Sequence, residues 1–221
     1  TSNPGTLCIM KSYSLFDKLL IELEHSLRTC HVKPSSTERP YPAQNIDFHV
    51  IDEAETRLIS GLMRVNNAGE VAAQGLYRGQ AVSAKDISIQ QDMLLAAKEE
   101  NEHLNWCQTR LDELGAGRSL LDPVWYWGSF VLGMTAGAAG NQWSLGFVEE
   151  TEKQVGRHLE HHLQQLPEQD IRSRNILLQM KADELKHAEN AHKAGAAPLP
   201  AAIQKIMTLV SKIMTVSAYR I

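Results

Sequence analysis

The chain has 221 residues and a formal net charge of −4, with its basic residues scattered rather than clustered. That length suits one bundle-sized domain with appended helices, and the charge pattern excludes a nucleic-acid-binding protein. Cys8, Cys30 and Cys107 are odd in number and widely spaced; they form no zinc or disulfide pattern and point to a reducing compartment.

Thr1–Ile9 resemble no folded element, and the N-terminus lacks the continuous apolar core of a secretory signal; Met10 is a candidate natural start. Ser14 to Cys30 patterns as a short amphipathic helix, with Ser14 and Asp17 as a capping-box start. His31 to Asn45 carries Pro34, Pro40 and Pro42 and reads as a linker. Residues 1–46 are thus a leader, a short helix and a proline-rich tether, and 47–221 the main domain. Long helices are expected over 48–82 and 86–114, the second stopped by Gly115 and Gly117. Asp122-Pro123 reads as a helix cap with proline at the first helical position. The helix after it is expected to be glycine-rich and apolar to Ala139, then amphipathic to Leu166. Another helix spans 168–193, and Pro198 and Pro200 introduce a last one over 201–218. Strand signals are nearly absent, so the fold class is all-α.

Within these helices one device is written twice. Glu100-Asn101-Glu102-His103 and Glu184-Leu185-Lys186-His187 are both E-x-x-H. Each follows, one helical hairpin on, a glutamate on its own helix: Glu70 before the first and Glu152 before the second, a repeat with a period near 82 residues. Positions i and i+3 share a helix face, so each pair can aim a carboxylate and an imidazole at one ion. Two single glutamates plus two such pairs form the ligand set of a carboxylate-bridged di-iron site in a four-helix bundle. Imidazole with carboxylate suits iron, and also manganese or zinc. Four carboxylates balance two ferrous ions, which a buried site requires. The helical stripe places Glu152 inward with Val148, Val155, Leu159 and Leu163, and leaves Glu149 at the edge and Glu150 opposite. Glu100 and Glu184 sit on similar stripes, whereas Glu99, Glu102 and Glu189 point elsewhere and Glu70 flanks its stripe. The metal candidates are therefore Glu70, Glu100, His103, Glu152, Glu184 and His187. His158, His161 and His162 read as a solvated face.

Two apolar features stand apart. Trp125 to Met134 is greasy, glycine-punctuated and too short to span a bilayer. The last helix gathers Ile203, Ile206, Met207, Val210, Ile213 and Met214 on one face, with Lys205 and Lys212 off it. Each fits internal packing or a surface that meets a membrane; the last helix also fits pairing with a second subunit.

Arg64-Val65-Asn66-Asn67-Ala68-Gly69-Glu70, followed by Tyr77-Arg78-Gly79-Gln80, closely resembles the signature of the demethoxyubiquinone hydroxylase family of ferritin-like di-iron carboxylate proteins. The resemblance runs from about Ser12 to the C-terminus. It implies a ferritin-like four-helix bundle with additional N-terminal and C-terminal amphipathic helices, and a monooxygenase of ubiquinone biosynthesis. It implies a polyprenylated methoxy-methyl-benzoquinone or its quinol as substrate, two iron ions per subunit, and O2 with NADH or another reductant as co-substrates. By position the same six residues are carried over as ligands, and His158, which falls where the family tends to carry a histidine, is a candidate to support the ligands from outside. A polyprenyl tail implies peripheral attachment at the cytoplasmic side of a bacterial membrane. A homodimer and other ubiquinone-biosynthesis proteins are the expected partners. The competing class is a ferritin-like peroxidase or iron store; the absence of a C-x-x-C iron site and the greasy terminal helix count against it.

Overall fold

The computed structural model describes residues 14–34, 39–47 and 52–221. The leader, with Met10 and Cys8, lies outside them, as do residues 48–51 of the first expected long helix. The described residues form seven helices and no strand: α1 (Leu15–His31), α2 (Glu53–Ser83), α3 (Ile87–Glu113), α4 (Asp122–Ala139), α5 (Asn141–Gln165), α6 (Ile171–Lys193) and α7 (Ala201–Arg220).

Local chemistry sets the helix ends. Ser14 caps α1 through the full box: its Oγ accepts from Asp17 N at 3.1 Å, and its own N donates to Asp17 Oδ2 at 2.9 Å. Asp52, Asp86 and Asp170 cap α2, α3 and α6 with side-chain acceptors. The single helix expected from Asp122 to Leu166 is two helices. Gly140 adopts φ +116°, outside the range a helix tolerates, and separates α4 from α5. Asp122 does not cap α4, whose N-cap is Leu121; its carboxylate turns inward against α2, where Asn67 Nδ2 donates to Oδ2 at 3.4 Å.

Helices α2, α3, α5 and α6 make the bundle, as two antiparallel hairpins packed face to face. Its core has two apolar clusters separated along the bundle axis. One holds large side chains, among them Ile59, Leu62, Trp106, Leu111, Leu159, Ile176 and Met180. The other mixes three alanines, Ala81, Ala97 and Ala191, with Tyr77, Met93, Leu145 and Val148. Between the clusters lies a layer of buried charged residues. The far end of the first cluster is locked by Arg110, which pairs with Asp170 and Glu113 at 2.9 Å each.

Three helices wrap the outside of α2. Helix α4 fills the long crossover between the two hairpins and runs parallel to α2 at backbone contact. A Cβ added at Gly75 or Gly79 would sit 2.2 or 2.1 Å from the carbonyl of Tyr126 or Phe130, and one at Gly133 would sit 2.1 Å from that of Leu76. Helix α1 is tied to α2 by a bidentate pair in which Arg78 donates to both Glu22 oxygens at 2.6 and 2.7 Å. Helix α7 touches α2 mainly through its last turns, where Ala218 is buried with Val65, Ala68 and Trp125. The tether rejoins the bundle through Tyr41, Ala43 and Ile46, which pack on the first cluster.

Candidate metal centre

All six candidate ligands meet in the charged layer. Glu70, Glu100, His103 and Glu184 present atoms within 4.8 Å of one another, and so do Glu100, Glu152, Glu184 and His187. Glu100 and Glu184 belong to both groups. The E-x-x-H pairs on α3 and α6 thus face each other, flanked by Glu70 from α2 and Glu152 from α5. Glu70, which only flanked its stripe in the sequence, is buried with the rest because it faces the bundle interior, 3.7 Å from His103 Nδ1 on α3.

The two histidines are oriented alike. His103 Nδ1 lies 2.9 Å from Glu100, 3.0 Å from Glu184 and 3.7 Å from Glu70, with Nε2 3.0 Å from Asp183 on α6. His187 Nδ1 lies 3.1 Å from Glu100 and 3.5 Å from Glu184, with Nε2 2.8 Å from Glu99 on α3. Each ring offers Nδ1 to the centre and is held at Nε2 by a carboxylate of the opposite hairpin, a common support for metal-binding histidines. Tyr77 donates its hydroxyl to Glu152 in a short hydrogen bond. Glu100 Oε1, both Glu184 oxygens and His187 Nδ1 are buried without a well-aligned hydrogen-bond partner.

Protonation follows from this burial. Burial raises the Glu70 carboxyl well above its usual range, as does burial with the Glu184 charge for Glu152. For Glu100, burial pushes up but the His103 and His187 charges outweigh it and hold it low. Glu184 is likewise lowered, burial and Glu100 being overcome by the same two histidines. Burial works against the imidazolium of His187, yet Glu100 and Glu184 carry it up to about 11, and carboxylates raise His103 in the same way. Four carboxylates and two neutral imidazoles carry four negative charges, which two divalent cations would balance, so the donor set fits a metal pair.

The sequence reading missed some neighbours. Glu99, expected to point elsewhere, grips His187, and Asp183 was not singled out at all. Each is the acid directly before an E-x-x-H pair, a signal visible once the cross-bundle contact is known. Of the three histidines expected on a solvated face, only His161 is exposed. His162 is 2% exposed, burial holds its pKa low, and its Nδ1 bonds Asn66 Oδ1 at 2.9 Å. The His158 ring packs 3.9 Å from that of His162, and burial brings its pKa down to about 4. Among the described residues, hydrogen bonds join Tyr77, Asp183 and Glu99 to the six ligands, and none joins His158.

A cleft of about 290 Å³ opens beside the centre at the end of the bundle that holds the second cluster. Its walls include Met93, Leu95, Ala96, Leu145, Val148 and Ala191, and its floor includes Tyr77, Glu99 and His187.

Residues 57–218 match the family described as Ubiquinone biosynthesis protein COQ7. The chain belongs to this family. A COQ7 relative from Nitrosococcus oceani is 52% identical over 206 residues, covering 93% of this chain and 96% of that protein. Relatives from Chromobacterium violaceum (50% over 207 residues, 94% and 100% covered) and Xanthomonas euvesicatoria pv. vesicatoria (51% over 209 residues, 95% and 96% covered) are equally similar. All three bear the name 3-demethoxyubiquinol 3-hydroxylase. The all-helical bundle and the buried Glu/His layer are consistent with the COQ7 assignment, and the layer is compatible with iron.

Proposed function

We propose that the protein is a di-iron monooxygenase that hydroxylates 3-demethoxyubiquinol, a polyprenylated benzoquinol, in ubiquinone biosynthesis. The observation that carries this reading is the pair of ligand groups sharing Glu100 and Glu184. Glu70, Glu100, His103 and Glu184 would hold one iron, and Glu100, Glu152, Glu184 and His187 the other. The iron pair supplies the activation of O2 that no amino-acid side chain provides.

The chain's own residues do the rest. Asp183 and Glu99 hold the imidazoles with Nδ1 inward, and Tyr77 fixes the Glu152 carboxylate. The large-residue cluster closes the layer against water on one side. The cleft admits a flat ring on the other, over His187, and its apolar walls suit a methyl- and methoxy-bearing ring better than a charged one. Overall, a ring C–H becomes C–OH with one oxygen atom from O2, and the other leaves as water. Two electrons and one proton come from the hydride of NADH, and the second proton comes from solvent.

The isoprenoid tail requires the enzyme to work at a bilayer surface. No helix among the described residues is long and apolar enough to cross a membrane. The outer layer nevertheless exposes Phe16, Leu19 and Leu23 on α1, Val131 and Leu132 on α4, and Ile206, Leu209, Ile213 and Val216 on α7. Such surfaces suit peripheral, interfacial attachment.

The test is a single-turnover assay. The protein is loaded anaerobically with ferrous iron, mixed with demethoxyubiquinol and NADH, and exposed to isotopically labelled O2. The expected product is the ring carrying one labelled oxygen atom, absent with Glu184→Ala. Oxygen consumption with the ring unchanged would move the protein to the peroxidase or iron-storage class.

A further inference from the structure

The centre is built as an approximate two-fold, and the two-fold is broken by one arginine. Each E-x-x-H pair is preceded by an acid that crosses to the other pair's histidine: Asp183 to His103 Nε2 at 3.0 Å, and Glu99 to His187 Nε2 at 2.8 Å. Beyond that the halves differ. The Asp183 side chain is 16% exposed and accepts a hydrogen bond from Arg39 Nη1 at 2.7 Å. Arg39 also pairs with Glu102 through Nε and lays its guanidinium 4.9 Å from the Trp106 ring centroid. Trp106 in turn packs 5.2 Å from the His103 ring. The opposite acid, Glu99, is 47% exposed and lines the cleft together with His187. His103 itself is fully buried, while the His187 side chain is 13% exposed.

Arg39 belongs to the proline-rich tether and not to the bundle. It clamps the α3–α6 seam from outside, on the His103 side. A carboxylate already pinned by a bidentate-capable guanidinium loses little freedom when its histidine binds an ion. Glu102 offsets the arginine's charge, so Asp183, Arg39 and Glu102 together keep one negative charge facing His103. The cleft side has a solvated carboxylate and an open approach.

Resting on the metal-pair reading, we propose that Arg39 is a positioning residue that makes the two metal positions unequal. The position of Glu70 and His103 binds its ion tightly and fills first. The position of Glu152 and His187 holds the exchangeable ion and faces the substrate. The tether is therefore part of the metal centre and sets the order in which it is loaded.

The test is a calorimetric and visible-absorption titration of the metal-free, full-length protein with Co(II) under anaerobic conditions. Two ions should bind in two resolved steps separated by about ten-fold or more in affinity, the scale on which outer hydrogen-bond partners act. Arg39→Met keeps an apolar stem near Trp106 and should weaken the first step about ten-fold, bringing the two steps together. Arg39→Lys should restore part of the gap, and Glu99→Gln should weaken the second step alone. If Arg39→Met does not fold, Asp183→Asn cuts the same clamp from the other side and should merge the steps in the same way. Two equal steps in the wild type, or a variant that weakens both steps alike, would overturn the proposal while leaving the paired centre intact. Fewer than two ions per wild-type chain would overturn the paired centre itself.

Discussion

Glu149 and Glu152 lie one helical turn apart and meet different environments. Glu152 is buried and takes the Tyr77 hydroxyl, while Glu149 turns to Lys153 and His192 at the rim. This choice was legible in the sequence because helical periodicity alone separates an inward from an edge position. The six candidate ligands were readable for the same reason. Asp183, Glu99 and His162 were not, because each acts on a partner in another helix, and periodicity along one helix carries no information about the helix opposite. Tyr77→Phe is expected to leave Glu152 without its donor and lower iron affinity by about ten-fold, measured by competition with a chelator. Asp122 gives a pH test. Burial lifts its carboxyl to about 7, against an ordinary value of 3.8, and nearby Arg118 only partly opposes this. The folded protein therefore retains a proton that the unfolded chain releases, and stability falls as pH rises from about 4 through 7. Asp122→Asn removes this loss. The variant should be more stable than wild type above pH 7, by up to about 4 kcal/mol, and the gain should vanish by pH 4 in denaturant unfolding. A gain that did not depend on pH would show that the carboxyl is not held protonated.

At the scale of elements, the bundle helices were predictable and the way they are dressed was not. A glycine-rich apolar run is compatible with a core, a membrane surface or a helix crossing, and composition does not distinguish them. The structure shows a crossing. Gly75, Gly79 and Gly133 let the α2 and α4 backbones touch, and α4 thereby covers the outer side of α2, opposite the face that carries Glu70. Gly79→Ala places a methyl group 2.1 Å from the Phe130 carbonyl. Its gain in helix propensity, about 1 kcal/mol, is outweighed by the forced separation of two backbones, which costs about 2–3 kcal/mol or more. Thermal unfolding should drop by several degrees. An unchanged or raised midpoint would mean that α4 is free to move away from α2. The break at Gly140 was hidden for a related reason: only its positive φ, not its neighbours' composition, separates α4 from α5.

The whole molecule has two unlike ends and one unlike side. One end of the bundle is filled with large side chains and locked by Arg110, and the other mixes alanines with Tyr77, Met93, Leu145 and Val148 and opens into the cleft. The side formed by α1, α4 and α7 exposes apolar residues that the bundle does not cover. A membrane surface is the cover that the tail of the proposed substrate demands. Replacing Ile206, Leu209 and Ile213 together by glutamate should abolish cosedimentation with anionic vesicles without lowering the unfolding midpoint, since all three are exposed. If wild type and variant bind vesicles equally, this face serves another purpose, and a concentration-dependent dimer would be the occupant to look for. The central claim is that one chain holds two ions in a single buried layer. Its most direct test is anomalous diffraction at the iron edge from crystals of the ferrous-loaded protein. Two peaks per chain are predicted, one among Glu70, Glu100, His103 and Glu184 and one among Glu100, Glu152, Glu184 and His187. One peak, or peaks outside this layer, would contradict the account.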